Sequence, residues 1–203
     1  MRRISIVLAA LAVLGTAARA EANEGGVSLF VRVDTDRTTV VSPRVAAAAT
    51  FDRDRTTVRG SYMADVWTSA SIDIRTAASI RRPREPGQQD GEYRAITEQR
   101  DQLDLSISHE VDDVTLGASY YYSGENDYWS HGFAVRSVQE LPGNSTTIEE
   151  ALTYSHDVVG RAGDPTFSRP LDSFGMRLGL TQIFAPDVVA QIVYDGTHRA
   201  GYP

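Results

Sequence analysis

The sequence predicts an all-β chain, the antiparallel up-and-down meander of a transmembrane β-barrel. Three observations predict it. Apolar side chains recur with a period of two, they come into register about four short turns, and short links alternate with long ones. The clearest stretch is 103–123, "LDLSISHEVDDVTLGASYYYS". Leu103, Leu105, Ile107, His109 and Val111 share one parity, while Asp104, Ser106, Ser108 and Glu110 share the other. With Asp112-Asp113 as a two-residue turn, Val111 faces Val114, Ile107 faces Ala118 and Leu105 faces Tyr120. Every apolar residue of the ribbon then lies on one face.

The N-terminus reads as a secretory signal over residues 1–20. Arg2-Arg3 is a basic start, "ISIVLAALAVL" from Ile4 to Leu14 is an apolar stretch, and Ala18-Arg19-Ala20 is an A-x-A-like cleavage site. The apolar stretch is too short for a span of roughly 20 residues. Cleavage leaves a short segment, 21–26, ahead of a barrel domain at 27–203.

The first strand is placed at 27–33, where Val27, Leu29, Val31 and Val33 alternate with Ser28, Phe30, Arg32 and Asp34. The second and third, 38–51 and 56–68, join through Asp52-Arg53-Asp54-Arg55, so that Phe51 faces Thr56, Ala49 faces Val58 and Val45 faces Tyr62. Strands at 93–111 and 114–123 form the hairpin described above. Strands at 128–141 and 146–158 meet at "LPGN", strong turn chemistry that brings Val135 opposite Leu152 and Phe133 opposite Tyr154. The last pair, 172–184 and 188–198, turns at Ala185-Pro186-Asp187. Phe184 is then expected opposite Val188, Leu180 opposite Ile192 and Leu178 opposite Tyr194.

The longer links are placed at 69–92, 124–127 and 159–171, and "RRPREPGQQDGE" and "GRAGDPTFSRP" within them are charged and rich in Gly and Pro. Short periplasmic turns with longer extracellular loops are the habit of outer-membrane barrels. Aromatic residues gather on the long-link side, among them Trp67, Tyr93, Tyr120–Tyr122, Tyr128, Trp129, Phe167 and Phe174, as an interfacial girdle would. The opposite parity carries Arg44, Arg59, Asp65, Asp104, Glu110 and Arg177 in mid-strand, which a wet lumen tolerates. A mean hydropathy of −0.28 is no objection, because barrel strands offer only half their side chains to lipid.

The residues also carry a resemblance. "EQRDQLDLSISHEVDDVTLGASYYYSGENDYWSHG", the "LPGN" turn and "GRAGDPTFSRPLDSFGMRLGLTQI" resemble a proteobacterial outer-membrane barrel family, domain-of-unknown-function family 3570. The likeness is close over 98–184 and looser over 27–80. It implies an outer-membrane barrel, supplies no catalytic residues, and implies chains longer than this one.

Composition excludes several classes. A net charge of −7, with no basic patch, argues against nucleic acid as a partner. The absence of Cys excludes disulfides, thiolate metal sites, cysteine nucleophiles and a lipoprotein anchor. "YSHD" at 154–157 invites a Ser-His-Asp reading, but in a strand His156 points away from Ser155 and Asp157. Pairing about "LPGN" sets His131 opposite His156. These two are the residues that could share a divalent metal, although a pair of interfacial rings is the preferred reading. Asp34-Thr35-Asp36 lacks the spacing of a calcium loop. No phosphate loop, zinc motif or dinucleotide fingerprint is present, so no catalytic residue, cofactor or enzyme activity is assigned.

The expected protein is therefore an outer-membrane barrel, exported by its signal peptide, with a pore, passive-uptake or structural role. Its expected partners are outer-membrane lipid, the barrel-assembly machinery and small solutes or ions. The rivals are a secreted soluble β-sandwich that acts as a binding module and an outer-membrane hydrolase. Nine strands are expected, an odd number, with a final strand running out in "GTHRAGYP". Single-chain bacterial barrels have even counts, so an incomplete barrel, seen as an open sheet, is expected here.

Overall fold

A computed structural model describes residues 22–35, 38–53, 55–69, 96–143, 145–161, 164 and 166–202. The signal segment, most of the first long link with Tyr93, and Asn144 of the "LPGN" turn lie outside the described residues. Within them the chain is all β. Its strands are β1 (Ala22–Val33), β2 (Thr38–Phe51), β3 (Thr56–Ser69), β4 (Ile96–Val111), β5 (Val114–Gly124), β6 (Tyr128–Glu140), β7 (Thr146–Gly160), β8 (Ser168–Ala185) and β9 (Val188–Gly201). They form one open sheet in the order β1 to β9, each strand antiparallel to its sequence neighbours. This sequential order contains no Greek-key crossing, which a sandwich would use.

The period-2 pattern explains the registers. Val111 pairs with Val114, Leu105 with Tyr120, Val45 with Tyr62, Phe133 with Tyr154, and Leu180 with Ile192, as expected. A one-residue slip would move every apolar side chain to the other face, so the pattern fixes the pairing. The turns accept the backbone they need. Asp52, Arg53 and Asp112 take positive φ of 54°, 56° and 53°, and Gly143 takes 96° in the β6–β7 turn. Leu141 N donates to Thr146 O at 2.9 Å and closes that turn.

Four described boundaries differ from expectation by two residues or more. β1 begins at Ala22, with Ala22–Gly26 paired to Ala46–Thr50, so most of the 21–26 segment belongs to the sheet. Ladder bonds need no apolar side chain, and Gly25-Gly26 leave no period to read. β7 runs to Gly160 and β8 starts at Ser168, which shortens the third link to 161–167. Pro170, read as loop, pairs with Val158 and accepts from Tyr202 N at 3.0 Å. β9 continues to Gly201 instead of stopping at residue 198. In the last turn Phe184 does not face Val188. Pro186-Asp187 forms a two-residue turn, Ala185 pairs with Val188, Ile183 pairs with Val189, and Phe184 is bulged out, 70% exposed. The bulge absorbs the odd residue and keeps Leu180 opposite Ile192.

Pro43 sits inside β2 beside Leu29, while the ladder toward β3 skips Ser42 and Pro43 between Val41–Val66 and Arg44–Met63. Proline has no N–H to give at such a position.

The registers sort side chains into two faces. One continuous row is Val58, Ile107, Ala118, Val135, Leu152, Met176 and Gly196. The adjacent row on the other face is Arg59, Ser106, Ser119, Ala134, Thr153, Gly175 and Thr197. The sheet is one layer. Among the described residues Ala49 is the one buried hydrophobic side chain, while Ile107, Val135 and Leu152 are 48%, 55% and 58% exposed. Packed domains cover such a face with a second layer; no described element covers this one.

A left-handed backbone at Gly143 resists any Cβ. Gly143→Ala should destabilise the folded sheet by about 1 kcal/mol in a denaturant titration. Ser145→Ala, beside it, should cost clearly less; equal costs would argue against the turn geometry.

Candidate functional site

The polar face holds a connected set of side-chain interactions. A depression of about 790 Å³ runs across β1 to β5, lined by Glu24, Arg44, Arg59, Ser61, Gln102 and Asp104 among others. Arg44 Nη2 donates to Ser61 Oγ at 3.3 Å, Ser61 Oγ donates to Asp104 Oδ2 at 3.3 Å, and Gln102 Nε2 donates to the same oxygen at 3.2 Å. These residues meet because the register sets Ser61 opposite Asp104. Glycine keeps the wall thin at one point, where a Cβ on Gly117 would meet the Arg136 side chain at 3.1 Å.

Further along the same face, Arg177 grips Asp195 in a two-point pair at 2.7 and 3.2 Å. Both side chains are more than half exposed, so the pair orients β8 and β9 side chains and adds little stability. Ser123, Ser130 and Asp157 occupy one row and are buried, an unusual place for polar groups in a sheet whose apolar residues stay exposed. Ser130 Oγ donates to Asp157 Oδ1 at 2.6 Å, and Arg100 Nε donates to Ser123 Oγ at 3.2 Å.

The chain contains no lysine, so all its permanent cations are arginine. Every strand arginine, from Arg32 on β1 to Arg199 on β9, falls on the polar parity. The apolar parity carries three charged strand residues, all carboxylates: Asp101, Glu150 and Asp172. Tyrosines gather beside two of them. Tyr62 Oη donates to Asp101 Oδ1 at 2.6 Å, and Tyr154 Oη donates to Asp172 Oδ1 at 2.8 Å. Tyr120 Oη shares a hydrogen bond of 2.8 Å with His131 Nδ1. These groups mark a polar border on the apolar face, toward the links at 125–127 and 161–167.

His131 and His156 are cross-strand partners. Their Nδ1 atoms turn to different partners, however: His131 to Tyr120, and His156 to Asp172 Oδ1 at 2.8 Å. Among the described residues no group of three or more His, Asp or Glu side chains is arranged to hold a metal ion. Ser155 and Asp157 share the polar face and His156 takes the other, as the strand period requires. Asp34 closes its own turn. The Arg32 guanidinium at 2.9 Å and the Thr35 amide at 2.7 Å hold its carboxyl below the usual range, and Asp36 lies outside the described residues. Sequence reasoning missed the Arg44–Ser61–Asp104 chain and the buried Ser130–Asp157 pair. Parity placed each residue on its face, and only the register brought partners together.

Among the described residues, nine antiparallel up-and-down strands in one open sheet define an all-β protein with one polar and one apolar face. The chain belongs to the family described as Protein of unknown function (DUF3570), whose model matches residues 4–173. No curated protein and no solved structure matches it.

The buried carboxylate should matter to folding. Asp157→Ala leaves the Ser130 hydroxyl buried without its acceptor and should cost about 1–3 kcal/mol in an unfolding titration. Asp195→Ala, on the exposed pair, should cost well under that. The reverse order would show that Asp157 is not the structural member of this face.

Proposed function

We propose that these strands are the wall of a transmembrane β-barrel in the outer membrane of a Gram-negative envelope. The N-terminal segment directs export, and the barrel-assembly machinery inserts the strands. The polar face lines a wet lumen that passes small solutes or ions, and the apolar face meets lipid. One observation carries the reading: a single-layer sheet leaves a continuous apolar face uncovered while its arginines and most of its carboxylates take the other face. Lipid is the solvent that such a face suits. Strands suit it as well, because ladder bonds satisfy the interior backbone groups that lipid cannot. Among the described residues no helix is long and apolar enough to cross a membrane.

The two tryptophans separate the faces. Trp129 lies on the apolar parity and Trp67 on the polar one. In vesicles of brominated phosphatidylcholine, a Trp67→Phe variant should lose most of its fluorescence, since Trp129 faces the bromines. A Trp129→Phe variant should keep most of its emission. Equal emission in brominated and plain vesicles for both variants would rule out insertion and favour a soluble sheet that buries its apolar face against another molecule.

Substitution tests the same assignment. Leu105→Arg or Ile107→Arg should cost roughly 2–4 kcal/mol in a folding titration into vesicles if the site is near the midplane. Ser106→Arg should cost clearly less, although Arg59 is its cross-strand partner. Similar penalties at both parities would end the face assignment.

A further inference from the structure

We propose that the apolar face carries a binding site for a lipid with a primary ammonium headgroup, of the phosphatidylethanolamine kind. Its acyl chain would lie across β6 to β9 and its ammonium at Asp172. This rests on the membrane reading above and adds a headgroup preference to it.

The site has two parts. The first is an apolar groove of about 640 Å³ lined by Phe133, Val135, Leu152, Phe174, Met176 and Gly196. Two cross-strand rows bound it: Phe133–Tyr154–Phe174–His198 on one side and Val135–Leu152–Met176–Gly196 on the other. The absent side chain at Gly196 opens the β9 end, where the Tyr194 hydroxyl lies 3.3 Å from the position of a Cβ. Tyr154 and Phe174 stack at 4.9 Å along the upper edge. A flexible alkyl chain fits a trough of this lining.

The second part is the next row toward the links, His131–His156–Asp172. Its carboxylate is 37% exposed, and its Oδ1 is already braced by Tyr154 Oη and His156 Nδ1, both at 2.8 Å. Two donors on one oxygen fix the carboxylate in place and leave Oδ2 without a described donor. A headgroup above the groove therefore meets a fixed negative charge.

Charge sorting sets the sign of the preference. The strand charges on this face are Asp101, Glu150 and Asp172, and no strand arginine shares it. On the apolar parity of the described strands an anionic headgroup finds no permanent cation. A quaternary choline is attracted but cannot donate a hydrogen bond. A primary ammonium does both, and a charge-assisted bond to a carboxylate is the stronger kind.

The test uses the full chain in phosphatidylcholine vesicles with a trace of spin-labelled lipid. The immobilised fraction of the spin signal gives the relative association of each headgroup. Spin-labelled phosphatidylethanolamine should associate about two- to fivefold more strongly than phosphatidylglycerol, with phosphatidylcholine between them, the range expected of one partly exposed ion pair. Asp172→Asn should bring the three headgroups close together, and Asp195→Asn, on the opposite face, should leave the preference unchanged. Should Asp172→Asn fail to insert, the unmodified chain in about 1 M salt serves instead, since screening should collapse the preference. Equal association for all three headgroups, or a preference that survives Asp172→Asn or high salt, overturns the proposal. Insertion without preference sinks this inference alone. Failure of the unmodified chain to insert, with Trp129 unquenched, takes the membrane reading down with it.

Discussion

The interstrand ladder is the interaction on which everything else in this protein depends. A single-layer sheet has no interior to reward, so its order comes from backbone bonds shared between each strand and its neighbours. Side chains then follow automatically. With a period of two, fixing one cross-strand pair fixes the face of every residue in both strands. Eight successive hairpin or link pairings in one register therefore produce two chemically distinct surfaces from one chain.

The polar surface behaves as a lightly connected network. Serines relay between charges, as in Arg44–Ser61–Asp104, and small residues make room for long arginine chains, as at Gly117 beneath Arg136. Half-exposed ion pairs such as Arg177–Asp195 add little stability, but they keep charge distributed over a wall that water can reach. The apolar surface follows other rules. Its rings stack in cross-strand pairs, Tyr120 with Phe133 and Tyr154 with Phe174. Two of its carboxylates, Asp101 and Asp172, sit toward the links and accept from tyrosine hydroxyls, while Glu150 lies nearer the short turn between β6 and β7. That layout joins the proposed lipid-facing role to the proposed headgroup site: apolar rows in the middle and two hydrogen-bonded carboxylates on the side of the links.

Strand number, most hairpin registers and the polar face of Arg44, Arg59, Asp65, Asp104, Glu110 and Arg177 were legible in the sequence, because period and turn chemistry are local; the carboxylates Asp101, Glu150 and Asp172 on the other face were not singled out. The errors are instructive for the same reason. Gly25-Gly26, Pro170 and the "GTHRAG" stretch all look like poor strand sequence, yet all are paired, because a neighbouring strand supplies the ladder whatever the side chains are. The bulge at Phe184 could not be read because a two-residue and a three-residue turn fit the same "FAPDVV" letters. Both turns leave Leu180 opposite Ile192, and the two differ only in whether Phe184 pairs or bulges out, which side-chain period does not record.

The sequence by itself determined the alternation, and with it the all-β class, the strand order of neighbours and the division of residues between two faces. Tertiary structure alone decided which residues meet. It gave His156 to Asp172 rather than to a metal shared with His131, joined Ser130 to Asp157, and aligned a groove beneath the Asp172 row. The reason is physical. Parity is carried by each strand alone, whereas a contact depends on the register between two strands and on the rotamers their neighbours permit.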